Sequence, residues 1–184
     1  MLARGSLSSK MADQALPLLV IVTGAPGSGK TTVARSLAEE LRQPLLAKDD
    51  IKEALFDVLG TGDRDRSRML GRATYEVLVA VTRRLLGSGV SCILESNFTH
   101  ADLLRSLPPA RIVQIFCTAP ADVILERYSL RSRHPGHLDA EIVPELRERL
   151  AAGEWQPLDL VGKLITLDTS SAVDVRSLAA AVRG

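Results

Sequence analysis

Apolar residues in this chain fall into short unbroken runs separated by longer stretches with helical spacing. Leu18 to Thr23 (Leu-Leu-Val-Ile-Val-Thr) is apolar at consecutive positions, as a strand covered on both faces must be. Similar runs predict further strands at 44–47, 90–95, 111–117 and 163–167. Between them, apolar residues recur every three or four positions and predict helices over about 30–42, 50–59, 66–87, 101–106, 120–132, 139–151 and 172–182. Strict alternation of strand and helix calls for right-handed βαβ crossovers. The expected fold class is therefore α/β and doubly wound, with a five-stranded parallel sheet and helices on both faces.

Composition agrees with that pattern and narrows the context. The chain has 184 residues, the size of one domain, with 46% hydrophobic but only 3% aromatic residues, so Leu, Val, Ile and Ala must build the core. A net charge of +1 supplies no global field for nucleic acid or an anionic membrane. Residues 1–17 carry Arg4 and Lys10 without an apolar stretch, which does not support a secretory signal and reads as a flexible N-terminal tail before a domain at 18–184, with Met11 as an alternative start. No apolar run approaches the roughly 18 residues of a membrane span, so no membrane partner is expected. Cys92 and Cys117 lie inside strand patterns and read as two reduced, buried thiols, which points to a cytoplasmic location.

Directly after the first strand comes Gly24-Ala25-Pro26-Gly27-Ser28-Gly29-Lys30-Thr31, a complete G-x-x-x-x-G-K-[ST] motif between a strand and a helix. Glycines let such a loop bend until successive backbone N–H groups face one phosphate chain, and the following helix adds its positive dipole end. Lys30 would reach the β- and γ-phosphates, and Thr31 would give its hydroxyl to a phosphate-bound Mg²⁺. ATP and Mg²⁺ are the expected cofactors.

A phosphate cradle leaves open what becomes of the nucleotide. Ligands of open parallel sheets bind beyond the carboxyl ends of the strands, where Asp49 and Asp50 follow the second strand. Asp50 begins Asp-Ile-Lys-Glu, a capping box with Glu53, and so reads as a helix N-cap. Asp49 has no such structural use and is the expected general base for an acceptor hydroxyl. The helix from Pro120 carries Arg127 and leads to Arg131 and Arg133, placed to neutralise a transferring phosphoryl group, and Arg131 to His137 breaks the helical pattern as a candidate lid. His134 and His137 have H-x-x-H spacing but no third ligand nearby, so a turn is the reading there. Arg64, Arg66, Arg68 and Arg72 form a basic cluster in which Arg68 and Arg72 share a helix face, suited to an anionic group or to solvent. Asp57-Val58-Leu59-Gly60 and Lys48-x-Asp50 imitate fragments of GTPase signatures at positions where that fold does not need them.

The P-loop, continued by Thr32 and followed after one helix by Ala47-Lys48-Asp49-Asp50-Ile51-Lys52, resembles the AAA-type P-loop kinases grouped with zeta-toxin, chloramphenicol phosphotransferase and the polynucleotide 5′-kinase domain. The resemblance implies a P-loop NTPase fold with a small helical lid, nucleotide contacts from Gly24 through Thr32, and Asp49 as catalytic carboxylate. It implies further that Lys52 stands where a basic residue holds the acceptor's phosphate in the polynucleotide enzymes, an exposed helix lysine being the alternative. Glu95, ending the third strand, takes the place of the aspartate that orients Mg²⁺, and Asn97 and Phe98 open the acceptor loop, Phe98 reading better as packing. The run Leu167 to Val173 resembles the loop around the adenine, through Thr169, or else a helix capped by Ser170 or Ser171.

Taken together, the residues point to an ATP-dependent phosphotransferase acting on a hydroxyl of a small-molecule acceptor. A nucleotide or polynucleotide 5′-hydroxyl kinase is the first alternative, with nucleic acid the lesser reading because the chain has few aromatics for base stacking. A nucleotide-binding regulatory protein without turnover is the second. Oligomeric state is not legible.

Overall fold

The computed structural model of the protein describes residues 16–137 and 139–184; the tail reading for residues 1–15 lies outside these. Strands β1 (Leu18–Gly24), β2 (Leu45–Ala47), β3 (Cys92–Glu95), β4 (Arg111–Thr118) and β5 (Lys163–Asp168) form one parallel sheet in the order β2-β3-β1-β4-β5. Helices α1 (Lys30–Leu41), α2 (Lys48–Leu59), α3 (Arg64–Gly87), α4 (Asp102–Arg105), α5 (Ala121–Leu130), α6 (Asp139–Ala151) and α7 (Val175–Arg183) connect them. The expected α/β, five-stranded parallel P-loop fold is the fold observed.

β1 explains why its run is unbroken. Leu18, Val20 and Val22 pack with Val33 and Leu37 of α1 and Leu178 and Val182 of α7, whereas Leu19 and Ile21 pack on the opposite face with Leu78 and Leu86 of α3. Every side chain of the strand is buried, which an alternating pattern would not allow. Each buried Leu, Val or Ile contributes about 1.5–3 kcal/mol, so this strand anchors both halves of the core. A third cluster, Ala25, Ile124, Tyr128, Leu146 and Trp155, ties the phosphate loop to α5 and α6. The sheet order reverses at β1, which lies between β3 and β4, and the crevice outside its carboxyl end is where such sheets hold ligands. Val22 pairs with Glu95, and Glu95 with Ala47, so the ends of three strands meet at one level.

Several boundaries differ from expectation for identifiable reasons. α2 starts at Lys48 on an Ala47 cap with no side-chain bond, so the Asp50–Glu53 capping box does not form. Asp49 and Asp50 instead occupy the first helical turn, where the helix dipole favours carboxylates, and exposed Asp50 accepts from Arg35 Nη2 at 3.0 Å. α3 begins at Arg64, two residues before the expected start, because the Asp63 side chain accepts from the Arg66 backbone N–H. α7 is capped by Asp174, which accepts from the backbones of Arg176 and Ser177, and not by Ser170 or Ser171. α5 stops at Leu130, leaving Arg131 to His134 as a strap that runs into a 3₁₀ turn at Pro135–His137. Among the described residues no helix is long and apolar enough to cross a membrane.

Candidate active site

The loop between β1 and α1 has the backbone its glycines foretell. Gly27 and Gly29 sit at φ +87° and +78°, and a Cβ on Gly27 would lie 2.6 Å from the Ile124 carbonyl oxygen, so only glycine fits that contact without strain. Gly29 is the N-cap of α1, whose first residue Lys30 is 7% exposed and donates to the Ala25 carbonyl at 3.3 Å. Ser28 is fully buried, with its Oγ lacking a hydrogen-bond partner among the described residues. Thr169 locks the loop from behind: its Oγ1 donates to the Ser28 and Thr118 carbonyls at 2.8 and 3.1 Å. It lies 6% exposed beneath the loop and does not line the cavity.

Two carboxylates flank Lys30. Glu95 is 1% exposed at the end of β3, with Oε1 4.0 Å from Lys30 Nζ. Burial pushes its carboxyl up, partly offset by Lys30 and by a hydrogen bond from the Thr31 hydroxyl. Burial likewise pushes the Lys30 ammonium down, against the opposing pull of Glu95 and Asp49. Burial would raise Asp49 too, but Arg133, then Lys48, His137 and Lys30, outweigh it and hold that carboxyl below its usual range. Arg133 Nη2 lies 3.2 Å from Asp49 Oδ2. One carboxylate is thus kept ionised beside a guanidinium, and the other, dry one is pushed toward its neutral form.

The strap after α5 brings Arg131 and Arg133 to the cavity, but not Arg127. Arg127 turns back onto the loop after β5, donating to Thr169 O at 2.8 Å and Thr169 Oγ1 at 3.3 Å. That corrects its expected place among the phosphoryl-facing arginines, because the helix ends before a shared face with Arg131 can form. Arg131 stacks on Tyr128 at 3.6 Å from the ring centroid. The His pair does not converge on a metal: His134 Nε2 lies 3.3 Å from Asp57 and His137 Nε2 lies 2.9 Å from Glu53, with Phe56 between them.

Lys52 is 9% exposed, which removes its reading as an exposed helix lysine, and it donates to Ser67 Oγ at 2.9 Å. Ser67 Oγ in turn donates to the Gly136 carbonyl at 3.0 Å. Phe98 is 3% exposed and packs under the loop, as its bland reading had it.

A cavity of about 540 Å³ gathers most of the remaining expected residues: Pro26, Lys30, Asp49, Lys52, Arg68, Arg72, Glu95, Asn97, Arg131 and Arg133. Gly24, Ala25, Gly27, Ser28, Gly29, Thr31 and Thr32 do not line it but belong to the loop and the first turn of α1 at its edge. Sequence reasoning missed Lys48, Ser67, Gly71 and Tyr75, and also Glu145 and Arg149 of α6, which line the same space. Lys48 had a signal, its place next to Asp49. The α6 residues had none, because helical spacing does not say which cavity a distant helix borders.

The residues present fit Mg²⁺. Glu95 Oε2 is buried and without a hydrogen-bond partner among the described residues, in a carboxylate whose pKa the Thr31 hydroxyl helps to lower. A hydroxyl and a carboxylate are the hard oxygen donors Mg²⁺ takes when substrate phosphates and water complete its shell. No group of three His, Cys, Asp or Glu suited to a metal held by protein alone occurs among the described residues.

Comparison with known proteins places this geometry. A crystal structure of a candidate kinase from Chloroflexus aurantiacus superposes with a TM-score of 0.80 at 39% identity, covering 91% of this chain and 97% of that one. An adenylyl-sulfate kinase from the same species is 33% identical over 115 residues, 60% of each chain. An uncharacterized protein of Mycobacterium tuberculosis is 31% identical over 152 residues, 74% of this chain. This chain spans only 30% of the length of that relative. Residues 19–152, from β1 to just past α6, match the AAA domain family AAA_33, and the chain belongs to that family of P-loop kinase-type domains.

Proposed function

We propose that this protein is an ATP-dependent phosphotransferase that moves the γ-phosphoryl group to a hydroxyl of a small-molecule acceptor, with Asp49 as the base. The observation that carries the reading is the environment of Asp49. It sits on the first turn of α2 in the wall of the cavity that Lys30 shares, paired with Arg133 at 3.2 Å and held below its usual pKa range. A binding module has no use for an ionised carboxylate in that place. The match to a candidate kinase over nearly the full chain supports the same reaction class.

In the proposed reaction the acceptor oxygen forms a bond to the γ-phosphorus while the bond from that phosphorus to the β–γ bridging oxygen breaks, its electron pair leaving on ADP. The hydroxyl proton passes to Asp49 and then to solvent. An alcohol loses its proton late in a loose transition state, so a weakly basic but well-placed carboxylate suffices. Lys30, Arg131 and Arg133 offset the charge on the moving phosphoryl oxygens. Thr31 and Glu95 are the residues that would hold Mg²⁺, which would supply charge neutralisation and alignment of the phosphates.

A strand of nucleic acid is a poorer fit as acceptor. None of the six aromatic side chains is exposed: Phe56, Phe98, Tyr128 and Trp155 are buried, and Tyr75 and Phe116 are partly so. A stacking platform for successive bases is therefore missing from the surface. The test is Mg·ATP consumption with pooled sugars and aminoglycosides, nucleosides and nucleotides, and 5′-hydroxyl oligonucleotides, run with wild type and Asp49→Asn. One pool should raise turnover in the wild type alone. Equal phosphate transfer by the Asp49→Asn protein would sink the assignment of the base.

A further inference from the structure

The long helix α3 has an inner face that the core accounts for and an outer face that it does not. Leu70, Leu78, Val79 and Leu86 are buried against the sheet side. A solvated outer face should be polar throughout. Instead Met69, Val77 and Val81 are 48%, 43% and 39% exposed, with exposed Ala73 and Ala80 among them. At 3.6 residues per turn these five positions share one stripe, roughly 18 Å long. Scattered apolar residues on a surface are ordinary, but an aligned run on one helix is what a second helix covers. The stripe is open: Arg66 folds back onto the Leu59 and Gly60 carbonyls, and Arg84 stands past its last apolar residue.

The charges beside the stripe say what would cover it. Asp65, Arg72, Glu76 and Arg83, all exposed, run along one edge at spacings of 7, 4 and 7 residues. Their signs alternate, so the same row read backwards is its own complement. Laid antiparallel on a second copy, Asp65 faces Arg83 of the partner subunit and Arg72 faces Glu76 of the partner subunit, and two-fold symmetry repeats both pairs. Both pairs are centred on residue 74, so one register satisfies all four charges. That register also interleaves the apolar residues: Val77 of the partner subunit falls between Met69 and Ala73, and the two Ala73 side chains meet near the axis. Small residues there let helices approach to about 8–10 Å. Within one chain the outer two charges are held only by long contacts, Asp65 to Arg68 at 3.8 Å and Arg83 to Ser106 Oγ at 3.3 Å.

We propose that the outer face of α3 is a homodimer interface in which two copies of this chain pair antiparallel about Thr74. A closed two-fold dimer requires a self-complementary patch, and charges flanking an apolar seam set partner and orientation. A palindromic charge row meets that requirement, and an unrelated partner would have no need of it. Arg72 also lines the candidate active-site cavity, so the pairing brings Glu76 of the partner subunit to the rim of that cavity. A single helix pair lies at the small end of specific interfaces, so the dimer is expected to form in the roughly micromolar range.

The test is sedimentation equilibrium of the full chain from about 1 to 300 µM at low salt. Wild type should pass from monomer to dimer, and a monomer throughout overturns the proposal. Glu76→Arg and Arg72→Glu should each weaken self-association at least tenfold, because like charges then face each other twice. Mixed in equal amounts, those two proteins should form a heterodimer, since every arginine then faces a glutamate. The double swap Arg72→Glu/Glu76→Arg should dimerise as wild type does. Loss of dimer in both single variants without recovery in the mixture or the double swap overturns the antiparallel register. Val77→Asp places a charge in the seam and should abolish the dimer while keeping the Tm of the monomer, as surface changes do. Unaltered dimerisation of Val77→Asp and of both charge variants would put the contact on another face. If the full chain stays monomeric while a chain starting at Leu16 dimerises, the first 15 residues cover the stripe and the proposal falls.

Discussion

The phosphate loop at the cavity's edge and the wall of the cavity itself are built by opposite means. At the nucleotide end the binding groups belong largely to the backbone, set by glycines at positive φ, a buried strand on either side and the brace from Thr169. At the acceptor end they are long side chains from α2, α3, the strap and α6, several of them paired with one another, as Arg64 is with Glu145. A backbone cradle is fixed when the fold forms. A wall of lysines and arginines can change its ligand through a few substitutions that leave the fold untouched, and family membership therefore says much about the first end and little about the second.

The sharpest break in this comparison is expected at Asp49, where the two ends meet. Asp49→Asn keeps the shape and removes the base, so kcat should fall by about 10²–10⁴-fold, while ATP affinity, measured by titration calorimetry, should change less than twofold. Because the carboxyl is held below its usual range, the wild-type rate should show no ionisation from Asp49 between pH 6 and 8. A loss of ATP affinity as large as the loss of rate would move Asp49 to the nucleotide end.

Glu95 is expected to give the next largest effect, and from the other side. On its proposed part in holding Mg²⁺, its change to Gln should cost roughly 10–100-fold in activity or metal affinity. The loss should shrink as Mg²⁺ is raised, a dependence that Asp49→Asn should lack. Parallel Mg²⁺ titrations of the two variants would tell these roles apart, and identical curves would contradict the assignment of Glu95.

The same contrast decides what the sequence could reveal. The P-loop was legible because eight consecutive residues carry a backbone requirement, and β1 because burial on both faces leaves an unbroken apolar run. The position of Asp49 on the cavity wall was legible from its place after β2. The capping of α2 was not, because a strand that runs straight into a helix needs no polar cap when carboxylates in the first turn meet the dipole. Arg127 was misplaced because the end of α5 and the fate of its guanidinium depend on Thr169, 42 residues away. Lys52, Gly71, Glu145 and Arg149 share a cavity only through tertiary packing, which no local spacing encodes.

Gly136 probes the lid at the acceptor end. It reads as a turn residue, yet its φ is not positive; what it needs is room, since a Cβ would lie 2.7 Å from the ring of Phe56, itself 2% exposed. Gly136→Ala should therefore push the strap from α2 and cost about 1–3 kcal/mol, as overpacking does, read as a lowered Tm. Arg131 and Arg133 ride on the same strap, so KM for the acceptor should rise while binding of ATP to the loop is largely kept. If the substitution left both Tm and KM alone, the strap would not be seated as described.

The smallest expected effect lies in the same contact and is a matter of sign. His137 is buried against Phe56 with Nε2 2.9 Å from Glu53. Burial, then the Arg133 charge, pull its pKa below the ordinary value; Asp49 and the Glu53 hydrogen bond oppose them without prevailing. A lowered folded-state pKa means that the unfolded chain binds the proton first as pH falls. Stability is then highest above about pH 6.5 and declines as pH drops from there to the folded-state value, below which the loss is constant. His137→Gln keeps a side-chain amide donor for Glu53 but cannot titrate, so denaturant midpoints at pH 5.5 and 7.5 should differ less for that variant than for wild type. The carboxyl of Asp49, also lowered, contributes its own loss only at more acidic pH, so a variant that kept the full wild-type difference between these two values would show that the imidazole is not the group responsible.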